Sequence, residues 1–352
     1  MALSVELKKD FGAFRLEAAF TAGNCVHGLL GASGCGKSMT LKCIAGVIRP
    51  DEGRIVLDGE VLFDSAAHIN LPPQKLGLGL LFQNFALFPN MTVEQNIMAA
   101  LHKTGDKKAA RIKCGDMLRR LSLEEVKGLR PWQLSGGQQQ RTALARILVT
   151  TPRLLMLDEP FSALDSYLRW QTELELTELL DGFDGTALLV THSRDEVYRL
   201  CDTVTVLDRG MGRGEAPVRA LFDAPATRSA CLLSGCKNFS RAEWIGPHTL
   251  YAPDWGTRLE CAAPLPDGLS YVGIRSHSLR VADGSGPNRM ECGVIRVVED
   301  VFSTVILMSS AGGDRGFSRL RLEMPKEDWA AVGGGERLWL ELPPEALLPL
   351  VE

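Results

Sequence analysis

Gly31-Ala32-Ser33-Gly34-Cys35-Gly36-Lys37-Ser38 decides how the rest of this chain reads. The stretch fits G-x-x-x-x-G-K-[ST], a loop whose backbone N–H groups turn inward onto phosphate oxygens. Its glycines permit that approach because they carry no side chain to obstruct it. Lys37 supplies a point charge for the β/γ-phosphates, and Ser38 a hydroxyl ligand for Mg2+. Val26-His27-Gly28-Leu29-Leu30 reads as a strand entering the loop, and Met39 to Val47 continues as a helix that aims its positive end at the same anion. That strand–loop–helix setting separates the motif from an ordinary glycine-rich turn.

Roughly a hundred residues later, Leu134-Ser135-Gly136-Gly137-Gln138 forms a second glycine-rich anion nest just before a helical run. One phosphate loop indicates a bound nucleotide. A second indicates a nucleotide held between two surfaces that open and close.

Carboxylates complete the set. Arg153-Leu154-Leu155-Met156-Leu157 reads as a buried strand closed by Asp158-Glu159. Such an ending is commonly the start of a solvated loop, but with a phosphate loop in the same domain it reads as catalytic. Asp158 suits Mg2+ through water, and Glu159 suits the general base that polarises the attacking water. His192 ends the next buried strand, Ala187-Leu188-Leu189-Val190, after Thr191. A lone histidine there is more often structural, yet in this setting it can hydrogen-bond the γ-phosphate. Gln83, at the end of Leu78-Gly79-Leu80-Leu81-Phe82, is expected to reach both the metal and the water.

A chain of 352 residues suggests two domains. A net charge of −4 argues against a broadly basic nucleic-acid surface, so no nucleic-acid partner is expected. No apolar run approaches the roughly eighteen residues of a membrane span. The start, Met1-Ala2-Leu3-Ser4-Val5-Glu6-Leu7-Lys8, carries charges where a signal peptide is apolar. Nine cysteines, an odd number without C-x-x-C spacing, read as free thiols in a reducing compartment.

Continuous apolar runs point to an α/β architecture with a parallel sheet covered on both faces. Thr92 to Leu101 and Lys107 to Leu121 read as a small helical insertion within about residues 84–134. The character changes after Asp208, and Ser234 to Asn238 looks like a boundary. Beyond it, Leu269 to Ile274, Gly293 to Val298, Thr304 to Met308, Arg319 to Glu323 and Arg337 to Leu342 are short strand candidates separated by turn residues. The expected division is an α/β P-loop NTPase domain over 1–230 and a small all-β, OB-like barrel over 231–352.

These residues together resemble the ATP-binding cassette (ABC) transporter ATPases. Gly31 to Ser38, Gln83, Leu134 to Gln138, Leu155 to Glu159, Ser162-Ala163-Leu164-Asp165 and His192 match that family's Walker A, Q-loop, signature, Walker B, D-loop and switch histidine, in order, over about residues 1–230. The resemblance implies ATP and Mg2+ as cofactors, with Ser38, Gln83 and Asp158 on the metal and Asp165 at the nucleotide site. It also implies a head-to-tail homodimer in which Ser135, Gly136 and Gly137 of one subunit complete the other's site. Phe11 fits the family's adenine-stacking position, with Phe14 the competing choice. Met39 departs from the usual Thr or Ser, and Cys35 stands at a position more often Ser or Ala; Cys35 is expected to make the loop sensitive to oxidation.

Family membership of this kind implies a peripheral subunit on the cytoplasmic face of the membrane, gripping a permease. The groove for the permease is expected at Asn84-Phe85-Ala86-Leu87-Phe88-Pro89, with Phe85, Leu87 and Phe88 as partly exposed contacts or as local core. An extracytoplasmic binding protein is the implied indirect partner. Leu233-Ser234-Gly235-Cys236-Lys237-Asn238, Val272-Gly273-Ile274-Arg275 and Asp10 to Leu16 are similar to the molybdate/tungstate and sulfate importer ATPases. That similarity makes molybdate the expected cargo, followed by sulfate/thiosulfate or tungstate, with iron(III), polyamine or sugar importers behind. The β-domain then has a regulatory role.

Overall fold

The apolar runs around the phosphate loop lie side by side in the computed structural model, which describes residues 2–102, 105–162, 166–310 and 319–352, with residues 166–168 and 213 described in backbone only. Asp165, expected at the nucleotide site, and its neighbours Ala163 and Leu164 lie outside the described residues. The chain divides into a first compact unit ending at Val218 and a second, Arg219–Glu352.

The first unit begins with an antiparallel layer. Strands β1 (Leu3–Asp10) and β2 (Arg15–Ala22) pair with each other, and β1 also pairs with β4 (Glu52–Leu57). β4 continues through β5 (Glu60–Asp64) to β6 (Ile69–Asn70). β1 and β2 alternate buried and exposed residues, which is why a search for continuous apolar runs passes over them. Strand β3 (Val26–Leu30) and helix α1 (Lys37–Ile44) flank the phosphate loop. The short helix α2 (Pro73–Leu76) precedes β7 (Leu78–Leu81).

Helices α3 (Val93–Ala100), capped by Thr92, and α4 (Lys107–Arg120), capped by Asp106, form the insertion. Helix α5 (Gly136–Leu148) leads to β8 (Leu154–Asp158), and α6 (Ser166–Asp181) to β9 (Thr186–Thr191). Helix α7 (Arg194–Leu200) is followed by β10 (Thr203–Asp208), β11 (Met211–Arg213) and β12 (Ala216–Pro217).

β7, β8, β9, β3 and β10 are neighbours in that order, and all four pairings are parallel. All five residues of β8 and all six of β9 are buried, as a sheet covered on both faces requires. β11 joins this parallel sheet to the antiparallel layer by running parallel to β2 and antiparallel to β10. The strand ends that carry Gly31, Gln83, Glu159 and His192 therefore gather at one edge, the carboxyl ends of parallel strands, where open α/β sheets place their ligands.

The division between units falls earlier than residue 230. Helix α8 (Val218–Asp223) and helix α9 (Arg228–Leu233) are anchored to the second unit by Arg275, which donates to Phe222 O and to Ser234 O at 2.8 Å. The strands there form three antiparallel sheets rather than one. β13 (Asn238–Arg241), β17 (Tyr271–Ile274) and β23 (Leu348–Leu350) make the first, and β14 (Glu243–Gly246), β15 (Thr249–Ala252) and β16 (Thr257–Glu260) the second. β18 (Arg280–Ala282), β22 (Arg337–Glu341), β19 (Arg289–Glu299), β20 (Ser303–Ser309) and β21 (Arg319–Pro325) make the third, with α10 (Lys326–Val332) inserted before β22. Trp255, Leu259, Ile274, Ile306, Leu322 and Leu340 belong to one buried cluster, so the unit has its own core. It is a small β domain.

Candidate functional site

The phosphate loop is braced by contacts that only glycine permits. Gly34 has φ of 81° and Gly36 has φ of 107°, both in the left-handed region. A Cβ on Gly31 would overlap Leu207 O, and one on Gly36 would come within 2.9 Å of Leu16 and Phe14. Lys37 is buried, and its ammonium donates to Gly31 O at 2.9 Å and Ala32 O at 3.0 Å. The loop backbone thus folds around the charge that is to meet phosphate, with Ala32 and Ser33 exposed at its tip.

Cys35 is corrected by this packing. It is buried in the core cluster, and burial pushes its thiol up from the ordinary cysteine value, against the nearby Lys37 charge. A thiol held protonated and shielded reacts more slowly with oxidants than an exposed thiolate, so the packing works against the expected sensitivity of this residue.

Ser38 Oγ donates to Asp158 Oδ1 at 2.7 Å. Burial raises the Asp158 carboxyl above the usual range, with the Ser38 hydrogen bond acting in the opposite direction. A buried carboxylate beside a hydroxyl is a pair of hard oxygen donors, and the fit to Mg2+ rests on that chemistry.

Glu159 sits at φ of 45°, a costly backbone conformation for a residue with a Cβ. Its N–H donates to Val190 O at 2.9 Å, and its carbonyl accepts from Ser162 Oγ at 2.9 Å, which hold the turn. The turn brings the Glu159 carboxylate 3.9 Å from Lys37 Nζ and 3.3 Å from His192 Nδ1. A helix start and a strand end therefore converge on the carboxylate that follows β8. His192 is half exposed.

Gln83 is hydrogen-bonded within its own chain. Its amide donates to Ser162 Oγ at 3.3 Å, and the hydrogen bonds of Asp158 and Ser38 do not include it. An exposed side chain at a strand end takes the nearest acceptor, here the segment after Glu159.

The second glycine-rich stretch is organised by its own helix. Ser135 caps α5, accepting from Gln138 N at 3.3 Å, while Gln138 Oε1 accepts from Ser135 N at 2.9 Å. This reciprocal capping box occupies the Gln138 side chain, and Leu134 is buried beneath it. A Cβ at Gly137 would meet only Thr172 Oγ1, at 3.6 Å. α5 packs on α3, α4 and β7, whereas α1 packs on β8 and β9. The two glycine stretches thus belong to different layers, and no hydrogen bond joins them among the described residues.

Phe11 is exposed on the turn between β1 and β2, 6.2 Å from Phe14 between ring centroids. Phe14 instead packs on the core cluster and against Gly36. After Gln83, Phe85 is buried and belongs to the core, while Phe88 is exposed with Arg146 stacked over its ring at 5.2 Å. Leu87 is half-buried.

Glu196 was not among the residues expected to matter. It is buried, accepts from Thr191 Oγ1, and Thr191 in turn accepts from Ser193 N at 2.9 Å. Ser193 caps α7 by accepting from Glu196 N. These bonds fix the turn that carries His192, and the Ser193-x-x-Glu196 spacing was the signal.

Among the described residues no cluster of three or more His, Cys, Asp or Glu could hold a metal by itself, and no helix is long and apolar enough to cross a membrane.

Comparison with known proteins agrees with this geometry. The ABC transporter family matches residues 16–162. The molybdenum import ATP-binding protein ModC of Paramagnetospirillum magneticum is 37% identical over 290 residues, covering 80% of this chain and 78% of that protein. The sulfate/thiosulfate import ATP-binding protein CysA 2 of Chromobacterium violaceum is 39% identical over 265 residues, covering 74% and 70%. Among solved structures, the dimeric post-hydrolysis state of an ATP-binding cassette bound to ADP and Pi superposes with a TM-score of 0.52 at 26% identity, covering 62% of this chain and 99% of that one.

Proposed function

We propose that this chain, which belongs to the ABC transporter family and is an ATPase, powers an importer whose cargo is an oxyanion, molybdate first. The observation that carries the ATPase chemistry is the Glu159 carboxylate held between Lys37 and His192, beside the Ser38–Asp158 pair. Identity to a molybdenum import subunit over 78% of its length supports the cargo.

In the proposed mechanism the phosphate loop and Lys37 bind the nucleotide's phosphates. Ser38 and Asp158 would hold Mg2+, with Gln83 joining them on rotation away from Ser162. When bound, the metal supplies charge neutralisation on the β/γ-phosphates. Glu159 takes a proton from the attacking water, and His192 holds the γ-phosphate side of the site. Thr191, Ser193 and Glu196 keep His192 aimed. Phe11, exposed beside the loop, is the side chain available to stack on adenine.

The second wall comes from another copy. Ser135, Gly136 and Gly137 present the N-terminus of α5 outward, and a helix start binds an anion only if the anion is brought to it. A head-to-tail homodimer does so at two composite sites. Closure moves a permease only if ATP binds the closed pair better than the open one. Phe88 and the half-buried Leu87 are the apolar contacts offered to a permease helix, with Phe85 serving the core beneath them. The chain works peripherally on the cytoplasmic face, supplied indirectly by an extracytoplasmic binding protein, and its β domain regulates.

Identity to a sulfate/thiosulfate import subunit favours a second cargo. ATPase assays of the purified complex with loaded binding proteins separate the two. Stimulation by the molybdate-loaded form is expected; stimulation by the sulfate-loaded form alone would sink the first reading.

A further inference from the structure

We propose that Cys231 and Cys236 form a reversible dithiol–disulfide centre that closes on oxidation by a peroxide. The pairing follows from how α9 ends. Gly235 has φ of 101°, its N–H donates to Leu232 O at 3.1 Å, and the N–H of Cys236 donates to Cys231 O at 3.1 Å. This is the Schellman ending of a helix, with nested 5→2 and 6→1 hydrogen bonds, which a contact between the two side chains at the ends of the 6→1 bond frequently accompanies. In this chain both of those side chains are thiols.

Three further observations bear on the pair. A Cβ at residue 273 would lie 3.2 Å from Cys236 Sγ and 3.3 Å from Cys231 Sγ, so both sulfurs crowd the space that Gly273 leaves empty. A disulfide needs its two Cα atoms about 4.4–6.8 Å apart, and the 3.1 Å bond from Cys236 N to Cys231 O brings the two backbones together. The Cys236 thiol donates to Ile274 O at 3.2 Å and Asn238 O at 3.4 Å, and the Cys231 thiol beside it draws the Cys236 thiol down while Cys236, together with burial, pushes Cys231 up. The Arg275 charge favours the anion at both, and Arg275 is tied to Ser234 within the same turn.

Cys43, Cys261 and Cys292 differ from Cys236 in this respect. Burial pushes them to about 11, 11 and 12. Both sulfurs of the pair are buried, but they lie beneath a helix of only six residues whose Leu232 is exposed, as is the neighbouring Lys237. Fraying of so short a helix end admits a small oxidant.

The chemistry balances with one peroxide. The Cys236 thiolate attacks a peroxide oxygen, the O–O bond breaks, and the departing hydroxide takes up the proton that Cys236 released and leaves as water, giving a sulfenic acid. The Cys231 sulfur attacks that sulfur; the S–O bond breaks and hydroxide leaves as water with the Cys231 proton. Two thiols lose two electrons and two protons, and one hydrogen peroxide becomes two waters.

Both cysteines fall in one tryptic peptide, Ser229–Lys237, which makes the test direct. The full chain is treated with hydrogen peroxide, denatured, alkylated and digested. That peptide is expected to take two alkyl groups before oxidation, none after, and two again after dithiothreitol, while the peptides of Cys43, Cys261 and Cys292 stay fully alkylated. In Cys236→Ser, Cys231 is expected to remain alkylated throughout. Two alkyl groups persisting on the wild-type peptide after peroxide has oxidised the half-exposed Cys25, or a sulfinic acid in place of the linked pair, would overturn the proposal.

Discussion

The two glycine-rich stretches of the first unit look alike as sequence and are unlike as structure. In Gly31–Ser38 the glycines are demanded from inside the chain: a side chain at Gly31 overlaps Leu207 O, one at Gly36 strikes Leu16 and Phe14, and Gly34 and Gly36 take left-handed backbone. In Leu134–Gln138, Gly137 has helical backbone and room for a methyl group. Glycine there lowers helix stability and relieves no clash in its own chain. The first loop is shaped by the fold around it, and the second keeps a glycine that its own chain does not require.

The strongest attempt to break this contrast is Glu159→Gln. On the proposal that the two walls meet only around a nucleotide, the variant should hydrolyse ATP about a hundred- to ten-thousand-fold more slowly while accumulating as an ATP-bound dimer in size-exclusion chromatography. Full turnover in that variant would remove Glu159 from the role of base. Next come the glycines themselves. Gly31→Ala should lose about 1–3 kcal/mol of folding stability by overpacking, read as a lower denaturant midpoint. Gly137→Ala should keep or gain stability, by roughly 0.5–1 kcal/mol, yet lose at least about tenfold in ATPase rate, roughly 1.4 kcal/mol. Undiminished turnover in Gly137→Ala would mean that nothing approaches the second loop.

Asp158 sharpens the same contrast through pH. Its folded pKa is raised, so its contribution to stability is present in full below the unfolded value of about 3.9 and is lost as pH rises through the folded value. At neutral pH the ionised carboxylate therefore costs stability. Asp158→Asn should melt higher than the parent at pH 7 in the presence of EDTA, with the gap closing toward pH 4, and should not turn over ATP. A melting temperature unchanged at pH 7 would contradict the buried charge. The smallest effect is expected from Ser135→Ala, which removes half of the capping box and about 1 kcal/mol from α5; thermal melting checks it.

Much of this was readable along the chain. Val26 to Leu30, Arg153 to Leu157 and Ala187 to Val190 are continuous apolar runs, and such runs are strands of a parallel sheet because both faces are covered. β1 and β2 escaped because their period-two pattern is weaker in eight residues than an unbroken run. The three small sheets of the β domain escaped as sheets, although β17 and β19 to β22 were seen as strands, because pairing partners such as Asn238 and Ile274 are far apart in sequence.

By itself the sequence determined the phosphate loop, the order of the motifs and the family, because these depend on residue type at fixed local spacing. It also carried Asp158, Glu159 and His192 as separate strand endings. Only the tertiary structure decided that Glu159 lies between Lys37 and His192, that Cys35 and Phe85 are core, that Gln83 rests on Ser162, and that the sulfurs of Cys231 and Cys236 both lie against Gly273. The reason is physical. Spacing along a chain specifies which groups are present, while burial and hydrogen-bond partners arise from packing between elements remote in sequence, and these decide what each group can do.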